Sequence, residues 1–409
     1  MSHTVLDRWL LVSLVASAAI GCSTDDAFDP GVPRAVDVTR AEIQAAVHSN
    51  GVLARKLAGV LRDRPGNLIY SPLSVEAVLG MLYAGAAGET AAQLREVLGT
   101  GDDTTAFHTG LGSLLEDLRG DHGYTLDIAN RLFVQEGATP LPSFAALMSD
   151  AYRAPAQSVD YADPNHARGI INRWVADETH GHIPELLRSG DVTNQSVLTV
   201  ADAIYFKADW AEAFDQARTS NGPFHRADGS DVSAPMMQET FHGARTGELD
   251  GAMILELPYR SGELSCLVWL PPDRDGLPQL EQAMSNTTLA EALASMRSQS
   301  HLQVSLPRFT LRARLDLPSV LKQLNVDHLF DGRADLSGIF GASDLSVSTM
   351  VQEAWVSVDE QGTEAAAATA AVVGRFAPTR VIVDHPFLFM IYDQRTGSVL
   401  FTGRVVDPS

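Results

Sequence analysis

The stretch from Glu360 to Pro378, EQGTEAAAATAAVVGRFAP, constrains the fold more than any other part of the chain. It follows one apolar strand pattern, Ala354 to Val358, and precedes another, Val381 to Val383. Between them, Gly362 to Arg380 carries no apolar periodicity that would tie it to a core. So long a connection inside a compact domain is uncommon, and is usually either functional or disordered. Its composition is unusual for a flexible linker: Thr363, Ala365, Ala367 and Thr369 alternate with Glu364, Ala366, Ala368 and Ala370. On local propensity alone the run reads as an alanine-rich helix, since alanine is the strongest helix former. As a strand, its first set of residues would present only small side chains to one face. Such a strand could slide between two others without clashing with the core beneath.

The pattern elsewhere predicts an α+β fold, with helices early and strands late. Ala41 to Arg62 carries Ile43, Val47, Leu53, Leu57 and Val60 at helical spacing. Ser71-Pro72 is a start signal, a hydroxyl cap followed by proline at the first helical position, for a helix through Tyr83. Glu89 to Leu98 is helical and ends at Gly99; Asn165 to His180 is helical with Ile170, Ile171, Trp174 and Val175 on one side. Ser196 to Phe206 reads as a strand buried on both faces. Met253 to Pro258, Leu264 to Leu270, Leu302 to Leu306, Ser346 to Met350, Phe387 to Tyr392 and Val399 to Val405 read as further strands. No linker-like composition interrupts residues 41–409, which are expected to form one large domain.

The N-terminus reads as a targeting segment. Arg8 precedes an apolar run from Trp9 to Ile20, too short to span a bilayer, which ends in Ala19-Ile20-Gly21-Cys22. Residues 1–22 are therefore expected to be a bacterial lipoprotein-type signal, with Cys22 retained and acylated. Plain secretion is the alternative. Residues 23–40 follow as a flexible tether. The expected location is the cell envelope, with the lipid as the sole membrane attachment. Cys266 lies in an apolar run and is expected to be a buried small hydrophobe. The formal net charge is -21, and Lys and Arg nowhere cluster. Nucleic acid and heparin-like polyanions are accordingly not expected as partners.

Several segments, taken in order, carry a family resemblance. They are Asn67-Leu68-Ile69-Tyr70-Ser71-Pro72-Leu73-Ser74, Ala129-Asn130-Arg131-Leu132-Phe133, Ile171-Asn172-Arg173-Trp174-Val175 with Thr179-His180-Gly181-His182-Ile183, and Ala203-Ile204-Tyr205-Phe206-Lys207 with Trp210. Glu256-Leu257-Pro258-Tyr259, Leu306-Pro307-Arg308-Phe309 and Asp384-His385-Pro386-Phe387-Leu388-Phe389 complete the set. Together with Gly362-Thr363-Glu364-Ala365 after a strand ending in Glu360, they resemble the serpin family of serine protease inhibitors.

The resemblance implies a metastable fold with three β-sheets, about nine helices and an exposed reactive-centre loop. It implies a monomeric inhibitor of the suicide-substrate type that uses no cofactor. A serine protease would cleave the loop, form an acyl-enzyme, and be trapped as the loop inserts into the main sheet. The hinge would comprise Glu360, Gly362, Thr363, Glu364, Ala365, Ala366, Ala367, Ala368 and Thr369. Counting fourteen residues on from Gly362 places the cleaved bond between Phe376 and Ala377. Arg375–Phe376 is the alternative. The first choice implies a chymotrypsin-like or subtilisin-like target, the second a trypsin-like one. Ser71, Ser74, Asp202, Gln352, Trp210 and Arg308 are the residues expected at the opening sheet. Here the chain departs from the family: Asp202 stands where Asn is usual, and Gln352 where His is usual. An Asp202–Gln352 pair can still bond through the amide NH₂.

Two other readings compete. A serpin-like protein that binds without inhibiting would usually carry bulky or charged hinge residues, whereas Gly362 to Gly374 holds only Glu364 among small or aliphatic ones. Ser319-Val320-Leu321-Lys322 fits the S-x-x-K pattern of serine acyl-enzyme hydrolases, but His108-Thr109-Gly110 precedes the serine instead of following it. His180 and His182 suggest no metal site, since no third ligand accompanies them.

Overall fold

The computed structural model describes residues 41–120, 122–341, 345–362 and 379–409. These form the expected α+β architecture, with sheets of seven, four and five strands. Ten α-helices occur among the described residues, against about nine expected.

The five-stranded sheet positions the site. Its order is Phe309–Asp316, Thr349–Val358, Leu198–Ala208, Tyr124–Gln135, Gln157–Val159. We call Thr349–Val358 the hinge strand and Leu198–Ala208 its neighbour. These two run parallel and pair directly, from Thr349 opposite Thr199 to Trp355 opposite Tyr205. The outer flanks of the pair are antiparallel: Phe309–Asp316 lies against the hinge strand and Tyr124–Gln135 against the neighbour.

The neighbour strand is mostly apolar because both faces are covered, with Thr199, Asp202 and Lys207 as its polar members. Ala201 and Ala203 lie under the Pro164–Glu178 helix with its Ile171 and Val175, while Val200, Ile204 and Phe206 enter the main core. The Pro72–Tyr83 helix lies wholly in that core, capped as expected by Ser71, whose side chain accepts from Ser74 N–H. Gly99, at φ 65°, terminates the Gly88–Leu98 helix as expected.

Two expectations need correction. The strands read at Ser346 to Met350 and Ala354 to Val358 are one strand, Thr349–Val358. The polar Gln352-Glu353 step looked like a break, but both residues are buried and bonded within the sheet. The helix Thr104–Leu118 and the strands Tyr124–Gln135 and Phe309–Asp316 carry polar residues inside the pattern and were not anticipated.

Candidate functional site

The site is the seam between the hinge strand and its neighbour. Residues expected to act together there are brought together at two levels.

At the upper end the strands diverge. Beyond Trp355 the hinge strand pairs only with Phe309–Asp316, and its continuation crosses to the neighbour's end. Gly362 bridges Asp209, Trp210 N–H donates to the Gln361 carbonyl at 2.8 Å, and Phe214 N–H donates to the Glu360 carbonyl at 2.6 Å. The Trp210 indole donates to the Asp359 carbonyl at 3.0 Å and stacks on Tyr259, with centroids 4.6 Å apart. Glu360 is buried; one carboxyl oxygen accepts from Thr219 at 2.8 Å, and the other lies 3.5 Å from Arg308. That guanidinium is half-exposed, so the pair is worth about 1 kcal/mol or less. The backbone bonds hold this corner more firmly.

At the middle of the seam, Asp202 and Gln352 are directly opposed. The Gln352 amide donates to Asp202 Oδ2 at 2.9 Å and to the Ser71 carbonyl at 3.0 Å, and its oxygen accepts from Ser71 N–H at 3.0 Å. Asp202 Oδ1 faces Ser74 Oγ at 2.5 Å. Asn130, on the next strand, completes the cluster, with its Oδ1 3.0 Å from the same hydroxyl. Asp202, Gln352, Ser71 and Ser74 are all fully buried. Burial pushes the Asp202 carboxyl up to about 7, although bonds from Ser74 and Gln352 oppose the shift.

The opposite face of the seam carries an aromatic bridge that was not anticipated. Tyr205 and Trp355, paired across the two strands, stack at 5.5 Å, and His182 lies on both, 4.4 Å from Tyr205 and 4.5 Å from Trp355. A tight turn after the Pro164–Glu178 helix, with His180 and Gly181 at positive φ, delivers His182 there. His180 pairs with Asp127 at 2.9 Å. The sequence pointed to it only in that His182 and Tyr205 fall in two of the quoted segments and Trp355 in an expected strand.

Other residues singled out fall elsewhere. Thr363, Glu364, Ala365, Ala366, Ala367, Ala368, Thr369, Arg375, Phe376, Ala377 and Cys22 lie outside the described residues. Cys266 is buried, and desolvation pushes its thiol up to about 12, so it is inert as a nucleophile. Ser319 bonds to Asp316, its own helix cap, while the Lys322 ammonium lies over the Phe330 ring. His108 is buried against Tyr152, and desolvation lowers its pKa to about 4. No activated serine results from that arrangement. Among the described residues no cluster could hold a metal ion, and no helix is long and apolar enough to cross a membrane.

The model of the family described as "Serpin (serine protease inhibitor)" matches residues 48–408. Serpin B6 of Pongo abelii is 37% identical over 88% of this chain and 98% of its own length. Human leukocyte elastase inhibitor is 36% identical over 84% of this chain and 93% of its own length. Among solved structures, Serpin48 of the insect Tenebrio molitor superposes with a TM-score of 0.82 at 30% identity, covering 90% of this chain and all of its own. Arabidopsis AtSerpin1 in its native stressed conformation gives 0.79 at 29% identity, covering 90% of this chain and 98% of its own. On the extent of the family match, the coverage of these relatives and the shared three-sheet fold, the chain belongs to the serpin family.

Proposed function

We propose that the protein inhibits serine proteases as a suicide substrate. The observation that carries this reading is the placement of Gly362, at the mouth of a seam between two directly paired parallel strands, immediately before the small-residue run Thr363 to Thr369. A loop cut downstream of that run can fold back at Gly362 and enter the seam without bulky side chains meeting the core. The added strand makes hydrogen bonds worth roughly 0.5–1.5 kcal/mol each, so about ten residues supply on the order of 10 kcal/mol. That free energy drives displacement of the acyl-linked protease before water releases it.

Phe376 is the residue we assign before the cleaved bond, which favours chymotrypsin-like or subtilisin-like targets. The protein acts as a monomer in this scheme. We further propose that it is a bacterial envelope lipoprotein attached through Cys22; the support is the order Arg8, Trp9 to Ile20, Gly21-Cys22.

The test is a panel of serine proteases of each pocket class, mixed with the full chain and run on denaturing gels. A covalent complex that survives denaturation is expected. The thermal midpoint should also rise by well over 10 °C after loop cleavage, since about 10 kcal/mol is added at roughly 2–4 °C per kcal/mol. Cleavage without complex, together with unchanged midpoints, would leave a binding protein that does not inhibit.

A further inference from the structure

The polar cluster beneath the seam contains one ionisable group, Asp202, and its hydrogen bonds balance only if that group carries a proton. Asn130 Nδ2 donates to the Ser74 carbonyl at 3.1 Å, which turns Asn130 Oδ1 toward the Ser74 hydroxyl. Gln352 is oriented in the same way: its oxygen takes the Ser71 N–H, so its NH₂ gives one proton to the Ser71 carbonyl and one to Asp202 Oδ2. Ser74 Oγ is left with a single proton and two facing oxygens, Asn130 Oδ1 and Asp202 Oδ1. If Asp202 were a carboxylate, one of those two acceptors would lack a donor. As a carboxylic acid it completes the chain: Asp202 Oδ1–H donates to Ser74 Oγ, and Ser74 Oγ–H donates to Asn130 Oδ1.

The surroundings favour the same state. The side chains that face Asp202 are Ser74 from the Pro72–Tyr83 helix, Asn130 from Tyr124–Gln135 and Gln352 from the hinge strand, all neutral. Arg131 and Glu353, next in sequence to two of these, emerge on the opposite face. There Arg131 lies over Trp174 and Glu353 pairs with Arg312. Glu76, farther along the helix, adjoins Ser49 and Asn50 on Ala41–Leu61. Among the described residues nothing cationic offsets a charge on Asp202, in keeping with its elevated pKa.

We propose that Asp202 is a proton-held latch on the seam: protonated, it ties the hinge strand to its neighbour through one satisfied network; ionised, it loosens that network and lets the strands part. This rests on the reading that the seam opens to admit a strand. Parting the strands admits water, where an aspartate returns toward its ordinary value near 4. The closed seam thus binds the proton more tightly than the open one. Opening should become easier as pH rises from about 4 to about 7, and level off above that.

The test does not need a protease. A fluorescein-labelled peptide with the sequence of residues 363–374 is incubated with the full chain between pH 5 and pH 8, and its annealing is followed by anisotropy. The expected result is at least about a tenfold rise in annealing rate over that range. Asp202→Asn, which cannot ionise, should flatten the profile, and Glu76→Gln, which removes the other uncompensated buried carboxyl, should preserve it. A flat profile in the native chain overturns the latch alone, as does a profile that follows Glu76. Should Asp202→Asn fail to fold, the native chain and Glu76→Gln still decide between these outcomes. No annealing at any pH overturns the opening-seam reading, and the latch with it.

Discussion

Gly362 rests directly on the backbone of Asp209: the two form an isolated antiparallel bridge, and a Cβ on Gly362 would lie 2.6 Å from Asp209 Cα and 2.2 Å from the Ala208 carbonyl oxygen. Its φ of 143° is a conformation that L side chains rarely adopt. Gly362→Ala should therefore push the hinge away from the corner and break its bonds to Trp210. We expect a loss of about 2–4 kcal/mol, read as a lower thermal midpoint of the uncleaved protein.

Thr363 is the first residue past that corner. If it leads the inserting strand inward, Thr363→Arg would drive a long charged side chain toward an apolar core. The variant should fold as the native chain does, with an unchanged midpoint, yet be cleaved without forming complex. Denaturing gels that show covalent complex at native yield would contradict strand insertion.

The cleaved bond has its own readout. Phe376→Ala should abolish or strongly slow trapping of chymotrypsin-like enzymes, whereas Arg375→Ala should change it much less. Mass spectrometry of the peptide released from the denatured complex should begin at Ala377. A peptide beginning at Phe376 would move the bond by one residue and shift the expected target to trypsin-like enzymes.

A separate pH effect comes from Glu76. It is fully buried in the Pro72–Tyr83 helix, and desolvation raises its pKa from 4.5 to about 8, outweighing Ser49 and Asn50. The folded chain therefore keeps a proton that the unfolded chain loses above 4.5, so stability declines as pH rises from 4.5 to about 8. Glu76→Gln should remove that decline. It should be near neutral at pH 4.5 and stabilise by about 2–5 kcal/mol above pH 8, measured as thermal midpoints across the range.

The elements legible in the sequence were those whose side chains follow a single rule. The helix after Ser71-Pro72 announced itself through its cap, and Leu198–Ala208 through a run that is largely apolar despite Asp202. The elements that escaped mix rules. Phe309–Asp316 alternates arginines with apolar residues because Arg312 and Arg314 reach Glu353 and Asp191. The hinge strand looked broken because Gln352 and Glu353 are polar yet buried. At the site, Asp202 and Gln352 were visible as a pair, but the role of Asn130 as a third partner depends on which way its amide turns. His182 was legible only as a residue after a helix, since nothing local says that Tyr205 and Trp355 stack side by side beneath it.

The direction of the two seam strands carries a consequence of its own. Chain leaving the top of the hinge strand can re-enter the seam only by running back down it, antiparallel to the hinge strand. Because the neighbour is parallel to the hinge strand, the newcomer would be antiparallel to that one too. One slanted parallel ladder would be exchanged for two perpendicular antiparallel ones, the slightly stronger kind per residue. Four of the resulting five ladders would then be antiparallel, with Gln157–Val159 left as the parallel exception at the sheet's margin. The preference for the filled sheet is thus partly a matter of polarity, set by chain direction before any side chain is chosen. Substitutions along the loop can slow the exchange, but the preference for two antiparallel ladders over one parallel ladder would remain.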